Sequence, residues 1–240
     1  MRERLPHPKT LLVRRRLTID VGSSPTLRFL GKTMMMTRKH NDKDNRVRMM
    51  SDEDKKDVDE LCYAVLCIDP PWPKKKGGIR KARPNQGRSL DYATMSVEGI
   101  FELLDKEVFP VASEQHTAFV WGVDQFLHDG ENAMRERGYR MHARLVWDKE
   151  NGIAPAFSLR YSHEYVTWWY KPKFMKVAND ARGKFRSVIR EPAREHSRKP
   201  DGFYEVVDSW FPDVRKLDVF SREPRPGWEQ WGNQTEYFAA

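Results

Sequence analysis

Residues 64–72, Ala-Val-Leu-Cys-Ile-Asp-Pro-Pro-Trp, are the stretch that decides the fold of this 240-residue chain. Positions 64–68 form a short apolar run, which predicts a buried strand. Pro70 and Pro71 end that strand, because proline has no N–H to donate to a neighbouring strand. Asp69 is therefore left at the carboxyl end of the strand, the edge at which open α/β sheets bind ligands.

The Asp69-Pro70-Pro71-Trp72 motif has the groups needed to hold an aromatic amine. Such an amine is a poor nucleophile because its lone pair is shared with its ring. The Asp69 carboxylate and a fixed backbone carbonyl can accept its two hydrogens and draw the lone pair toward an electrophile. Trp72 can stack on the ring. Taken alone, the motif also fits a simpler structure in which Asp69 caps a strand and Trp72 packs in the core.

Downstream of this motif, the apolar pattern predicts strands that alternate with helices. The predicted strands cover residues 117–121, 141–147, 164–170, 187–189, 215–222 and a final strand from 228; the predicted helices cover 97–109 after a Ser96 cap, 125–137 before Gly138, and a stretch that begins at Pro200. Trp168 and Trp169 are expected to pack in the core. This alternation predicts an α/β fold with a doubly wound, mostly parallel sheet.

Composition favours a polyanionic partner, because the net charge is +8 and the sequence pI is near 9.4. A charge of this size could also serve solubility alone. The two cysteines, Cys62 and Cys67, lie in or beside the first strand, which predicts packing rather than a disulfide framework or a metal cluster. No run approaches the ~20 apolar residues of a membrane span. We expect a soluble, cytoplasmic protein, monomeric or homodimeric, that is associated with the nucleoid if its source is a prokaryote or phage.

Residues 1–58 lack apolar periodicity, and we expect a disordered or loosely ordered extension ahead of a catalytic domain at 59–240. The arginine-rich start is compatible with a nucleic-acid-binding arm, a transit-like segment or a solvated tail. Residues 73–91 form a long polar segment beside the motif, as expected of a mobile substrate loop or of any exposed loop. We expect its Lys74, Lys75 and Arg80 to bind phosphates.

Four segments of the chain together resemble one known family: residues 69–72, residues 92–96 (Tyr-Ala-Thr-Met-Ser), residues 196–201 and residues 222–234. They resemble the S-adenosylmethionine-dependent adenine-N6 methyltransferases, which include the catalytic subunit of the eukaryotic messenger-RNA adenosine methyltransferase and many bacterial and phage relatives. The resemblance covers residues 62–236. Asp-Pro-Pro-Trp alone is moderately specific, and the later Lys-Pro-Asp and Gly-Asn-Gln in the same order make the resemblance strong.

The resemblance implies a Rossmann-like methyltransferase sheet in the permuted order, with the catalytic motif ahead of the cofactor residues. It implies that Asp69 and the Pro70 carbonyl hold the target amine, with Pro71 completing the catalytic motif, and that Trp72 lines or stacks on a flipped adenine. It implies S-adenosylmethionine as cofactor, bound by Asp69, Lys199, Arg222, Asn233 and Gln234. Asp218, an acid near a strand end, is expected to bind ribose hydroxyls, and Tyr92 to bind substrate.

The expected reaction is methyl transfer to the N6 amine of adenine in nucleic acid. A compact chain without recognisable RNA-binding modules favours DNA, and RNA is the alternative; recognition is expected in residues 73–91, 148–158 and 173–184. A catalytically silent, nucleic-acid-binding partner subunit is a second interpretation, but such partners characteristically lose the Asp-Pro-Pro-Trp motif that this chain keeps. A methyltransferase for protein or small-molecule amines is a third, disfavoured by the basic loop and the net charge.

Overall fold

The computed structural model describes residues 62–73, 92–150, 154–155 and 160–239. The expected extension at 1–58 and the predicted phosphate-binding residues Lys74, Lys75 and Arg80 lie outside those residues.

A seven-stranded sheet forms the centre of the described part of the chain. In chain order the strands are β1 (Tyr63–Ile68), β2 (Ala112–Gly122), β3 (Arg140–Asp148), β4 (Ala154–Pro155), β5 (Arg160–Tyr161), β6 (His163–Lys171), β7 (Val188–Arg190), β8 (Lys216–Val219) and β9 (Trp228–Trp231), of which β4 and β5 form a separate antiparallel pair. The main sheet has the order β7-β3-β6-β2-β1-β8-β9. Only β6 runs antiparallel to its neighbours, so the predicted α/β, mostly parallel sheet is confirmed.

Three α-helices connect these strands within the described residues: α1 (Val97–Leu103), α2 (Leu127–Glu136) and α3 (Asp201–Trp210). The predicted Ser96 cap is confirmed, because its hydroxyl accepts a hydrogen bond from the Gly99 N–H at 3.0 Å. The predicted helix 97–109 continues past α1 as a π-helical turn and a short 3-10 turn, where Pro110 cannot donate the next helical hydrogen bond.

The helices cover both faces of the sheet, as a doubly wound fold requires. Ile100 of α1 and Met134 of α2 belong to the core on one face, and Phe203 of α3 belongs to the core on the other. Trp168 and Trp169 are adjacent in β6, so they enter opposite cores, at 5% and 0% exposure. Both are core residues, as predicted.

The strand directions bring distant chain segments to one edge of the sheet. β1, β8 and β9 end there, and the antiparallel β6 begins there. Asp69, Glu164, Arg222 and Gly232 are thereby neighbours, although they span most of the described chain. No helix in the described ranges is long and apolar enough to cross a membrane.

Candidate active site

A cavity of about 980 Å³ opens at this edge of the sheet. It is lined by nine of the residues predicted from the sequence: Asp69, Pro70, Pro71, Trp72, Tyr92, Lys199, Arg222, Asn233 and Gln234. A volume of this size is at the upper end of the ~300–1,000 Å³ that ligand sites span. The catalytic motif and the predicted cofactor residues therefore line the same cavity.

A row of alternating charges runs along the floor of the cavity. Lys199 Nζ lies 3.0 Å from Asp69 Oδ1 and 3.1 Å from Glu164 Oε2. Lys149 Nζ lies 2.6 Å from the other Glu164 oxygen, Oε1. The Lys199 ammonium also sits over the Trp121 ring, 5.1 Å from its centroid. Lys199 is thus held by two carboxylates and an aromatic face.

The burial of these groups shifts their pKa values. Burial raises the pKa of Asp69 above its usual 3.8, and the ammonium of Lys199 offsets only part of that rise. Burial also raises the pKa of Glu164, but Lys199 and Lys149 outweigh it and hold the value at about 2. For Lys199, burial disfavours the charge, whereas Asp69 and Glu164 together raise its pKa above the usual range. Asp69 is therefore the carboxylate of the row that accepts a proton most readily.

The motif after Asp69 is fixed by its own backbone and by Met95, which lies just ahead of α1. The Pro70 carbonyl accepts a hydrogen bond from the Trp72 N–H at 2.8 Å, and the Pro71 carbonyl accepts one from the Met95 N–H at 2.9 Å. A carbonyl oxygen has two lone pairs, so the Pro70 oxygen can accept a second donor. Its position is set before any ligand arrives.

Trp72 is held against the start of α2. Its indole N–H donates to the Trp121 carbonyl at 3.1 Å, and its ring stacks on Phe126 with centroids 5.9 Å apart and planes inclined by 10°. Gly130 makes the closest approach, because a Cβ at that position would lie only 2.9 Å from Trp72 Cη2. The indole is thus held in place by protein contacts, and part of it lines the cavity.

A further part of the cavity lining is formed where β8, the neighbour of β1, and β9 end. Phe220 adopts a left-handed backbone conformation (φ +60°), and its N–H donates to the Trp231 carbonyl at 2.6 Å. Gly232 passes so close that a Cβ there would lie 3.2 Å from Phe220 Cα. This close approach places Asn233 and Gln234 beside Arg222 in the cavity wall.

Arg222 is surrounded by aromatic rings. Its guanidinium carbon lies 3.8 Å from the centroid of the Tyr237 ring, 4.9 Å from that of Phe238 and 5.3 Å from that of Tyr92. The Phe238 N–H donates to the Arg222 carbonyl at 2.8 Å. The chain after Gln234 therefore folds back and positions the predicted cofactor arginine.

Tyr92 connects two walls of the cavity. Its hydroxyl lies 3.3 Å from Ser197 Oγ, which in turn lies 3.0 Å from His196 Nδ1. Ser197 has a left-handed backbone (φ +67°), a conformation that is rare for serine and common at functional sites. That turn directs the chain so that Lys199, two residues on, reaches the acids.

Asp218 is the one predicted site residue within the described ranges that does not line the large cavity, although it shares a small neighbouring cavity with Asp69, Lys199 and Arg222. It is 2% exposed and faces α3, where its Oδ2 accepts the Tyr204 hydroxyl at 3.0 Å and lies 3.7 Å from Arg225. It borders a small neighbouring cavity of about 10 Å³, roughly the size of one water, rather than the large one. Contact between Asp218 and a ribose in the large cavity would require these side chains to move.

Four features of the site are not among the site residues predicted from the sequence: Glu164, Lys149, the Phe126 and Gly130 contact with Trp72, and the aromatic residues around Arg222. Lys149 does lie in the segment 148–158, where recognition is expected. An acid at the first position of an otherwise apolar strand was the available signal for Glu164. The other three depend on contacts across the sheet or between chain segments. Over the described ranges, no group of three or more His, Cys, Asp and Glu side chains is arranged to hold a metal ion.

Comparison with known proteins shows relatives with one chemistry in their names. A fruit-fly (Drosophila melanogaster) N(6)-adenosine-methyltransferase MT-A70-like protein is 25% identical over 183 residues, covering 72% of this chain and 27% of that protein. The human N(6)-adenosine-methyltransferase catalytic subunit METTL3 is 22% identical over 180 residues, covering 72% of this chain and 28% of that protein. The chain thus spans about a quarter of the length of these relatives.

A third relative is matched over most of its own length. The type II methyltransferase M.MunI of Mycoplasma sp is 22% identical over 184 residues, covering 71% of this chain and 76% of that protein. The family model MT-A70 matches residues 63–234, which include every strand of the main sheet and every predicted site residue that the structure describes. The chain therefore belongs to the MT-A70 family.

Proposed function

We propose that this protein transfers a methyl group from S-adenosylmethionine to the N6 amine of an adenine in nucleic acid, with DNA as the first substrate. The observation that carries the proposal is the position of Asp69. Its carboxylate lies in the wall of a cavity of about 980 Å³, beside the fixed Pro70 carbonyl, and Arg222, Asn233 and Gln234 line the same cavity. The relatives whose names specify an N(6)-adenosine methyltransferase support the same chemistry.

The donor set of this lining fits S-adenosylmethionine. The Arg222 guanidinium suits a carboxylate, and the amides of Asn233 and Gln234 can both donate to and accept from ribose hydroxyls. The cavity is large enough for this ligand and a nucleotide together. When bound, S-adenosylmethionine supplies a methyl group that its sulfonium has already activated.

The protein's own contribution is to hold the amine. Lys199 binds Asp69 Oδ1, so we place one amine hydrogen at Oδ2 and the other at the Pro70 carbonyl. These hydrogen bonds strengthen as the nitrogen becomes positive, so they stabilise the transition state more than the ground state. The raised pKa of Asp69 also suits it to receive the proton that the methylated nitrogen releases.

Alignment of the reacting atoms accounts for much of the expected rate. Holding the nucleophile and the methyl group in line contributes up to ~7–11 kcal/mol of barrier lowering in well-oriented systems. In a duplex the adenine must first leave the stack, at a cost of a few kcal/mol. The part of Trp72 that lines the cavity is the surface we assign to the flipped base, and Phe126 and Gly130 hold the ring in position.

We favour DNA over RNA, and the match to the type II methyltransferase over 76% of its length supports this order. The net charge of +8 supports either polymer. RNA remains the second candidate, because the named adenosine methyltransferases share the same domain. A catalytically silent role is disfavoured, because the Asp69 site keeps both its carboxylate and its Lys199 partner.

The proposal is tested by transfer of labelled methyl from S-adenosylmethionine to DNA, RNA and protein, each as sole acceptor and in competition. Wild type is expected to label adenine N6 in DNA, Asp69→Ala to label nothing, and Asp213→Ala, which removes an exposed acid, to match wild type. Labelling of RNA alone would replace DNA as the substrate. Labelling of protein alone, or full activity of Asp69→Ala, would refute the proposal.

A further inference from the structure

We propose that Lys149 is a positioning residue for the reaction, which acts through Glu164 to keep the Lys199 ammonium shared between Glu164 and Asp69. The inference rests on the proposed function, because it assigns Asp69 to the amine. Lys149 lies at the end of the charge row that is farthest from Asp69. Among the residues that the structure describes, its ion-pair connection to Asp69 runs through Glu164 and Lys199.

The geometry of the row is that of a fixed ionic network. Lys149, Glu164, Lys199 and Asp69 have side-chain exposures of 18%, 15%, 10% and 21%, and their consecutive contacts measure 2.6, 3.1 and 3.0 Å. Lys149 is further restrained by the Trp147 ring, 5.1 Å from its ammonium. Charges that are this close and this largely buried interact more strongly than exposed pairs, which solvent screens.

The count of charges shows why Lys149 matters. With Lys149 present, two cations face two carboxylates. Without it, one ammonium would serve both acids, and the carboxylates of Glu164 and Asp69 would compete for Lys199. Lys199 would move toward Glu164, which loses its other partner, and Asp69 would be less well neutralised. A proton would then bind Asp69 more readily, and the amine would meet fewer ionised carboxylates.

Several titratable or charged groups surround Asp69, and the test must separate their effects. They come from each element packed around it: Glu164 from β6, Lys199 from the loop before α3, Tyr204 from α3, Asp218 and Arg222 from β8 and the chain beyond it, and Cys67 from β1 itself. Burial raises the pKa of Asp218 to about 6, within the assay range. The pH profiles are therefore also recorded in an Asp218→Asn background.

The experiment measures kcat for methyl transfer against pH from 5 to 8.5, with saturating S-adenosylmethionine and DNA. Wild-type kcat should fall at low pH as Asp69 is protonated. Lys149→Met should move this acid limb upward by about half a pH unit, which lowers kcat about threefold at a pH on the limb. Lys149→Arg should restore both, and Lys106→Met, which removes a surface lysine paired with Glu107, should leave both unchanged.

Glu164→Gln is expected to shift the acid limb of kcat in the direction opposite to that of Lys149→Met. It removes the carboxylate that competes for Lys199, so Lys199 pairs with Asp69 alone and the acid limb should move to lower pH. If Lys149→Met fails to fold, Lys149→Gln removes the charge and keeps a hydrogen-bond donor to Glu164. The upward shift is expected for that variant as well.

The outcomes separate this inference from the proposed function. An unshifted acid limb in the Lys149 variants, with Asp69→Asn inactive, overturns the role of Lys149 and leaves the methyltransferase proposal intact. A raised, salt-dependent KM for DNA with an unshifted limb would make Lys149 a phosphate contact, and would also overturn it. An active Asp69→Asn would refute both.

Discussion

Asp69 and Asp218 lie at the carboxyl ends of adjacent parallel strands, yet they face different environments. In the register of β1 and β8, Asp218 pairs with Cys67, whereas Asp69 lies beyond the last rung and donates its N–H to the Val219 carbonyl at 3.1 Å. Asp69 enters the large cavity and meets Lys199; Asp218 faces α3 and meets Tyr204. Residues just beyond a strand end reach the ligand space, and residues inside the strand point into a layer of helices or core.

The same rule holds for the other residues of the cavity. Arg222 follows β8 and Asn233 follows β9, and both line it. Burial raises the pKa of both aspartates, so the pKa shift does not tell them apart. Their partners do, because Asp69 is paired with an ammonium at a cavity wall and Asp218 is enclosed by a hydroxyl and a guanidinium.

Asp69→Asn is the most severe test of the comparison. The amide keeps the shape of the side chain, removes the charge that stabilises the developing cation, and leaves Lys199 with Glu164 alone. We expect kcat to fall by about 10³-fold, with cofactor binding by calorimetry changed far less. A loss of less than tenfold would mean that Asp69 has no larger role than Asp218.

Gly130→Ala tests whether the cavity beside Asp69 depends on the position of Trp72. The new methyl would meet Trp72 at 2.9 Å and push the indole into the cavity, so kcat/KM for DNA should fall about tenfold. Overpacking costs ~1–3 kcal/mol and outweighs the ~1 kcal/mol by which helix propensity favours alanine over glycine, so the melting temperature should fall slightly as well.

Asp129→Ala, an exposed substitution on the same helix, is the control for Gly130→Ala and should match wild-type activity. Unchanged kcat/KM in Gly130→Ala would show that Trp72 is not needed in its present position.

Tyr237→Ala tests whether Arg222, which follows β8, depends on the aromatic ring that holds it. Removing the ring nearest to the Arg222 guanidinium should weaken S-adenosylmethionine binding about fourfold, since a partly exposed cation–π contact contributes ~0.5–1 kcal/mol. Equilibrium dialysis measures the change. Tyr161→Ala, at another exposed tyrosine, should leave binding unchanged, and equal weakening in both variants would contradict the role assigned to Tyr237.

Asp218→Asn should have the smallest effect on activity, within about threefold of wild type, because its carboxyl lies outside the large cavity. A cofactor affinity reduced about tenfold or more would instead support the predicted ribose contact. The larger effect of this substitution is on the pH dependence of stability.

Burial raises the pKa of Asp218 from 3.8 to about 6 in the folded chain. Between these values the unfolded chain releases a proton that the folded chain keeps, so the free energy of unfolding falls as pH rises through the window and is level above it. Asparagine does not titrate. From pH 4 to pH 7, the free energy of unfolding of Asp218→Asn should therefore rise by about 2 kcal/mol relative to that of wild type. Urea unfolding at both pH values measures this difference. A variant that is instead stabilised relative to wild type as the pH falls would contradict the predicted sign.

Much of the fold and half of the site follow from local pattern. The apolar run at 64–68 and the two prolines place the end of β1, and the Ser96 cap and Gly138 mark helix boundaries. The strand and helix alternation predicts the sheet, and the order of the motifs predicts which residues share its carboxyl edge. These features depend on residues a few positions apart, and their geometry is set by backbone chemistry.

Only the tertiary structure decided which of these residues meet. β6 lies between β2 and β3 and runs against them, and that direction brings Glu164 to the edge that holds Asp69. Three contacts join different segments of the chain: Lys149 with Glu164, Trp72 with Gly130, and Asp218 with Tyr204. Local periodicity reports which face of an element is apolar, but it carries no information about the order and direction in which elements pack, and the side chains that share the cavity depend on that packing.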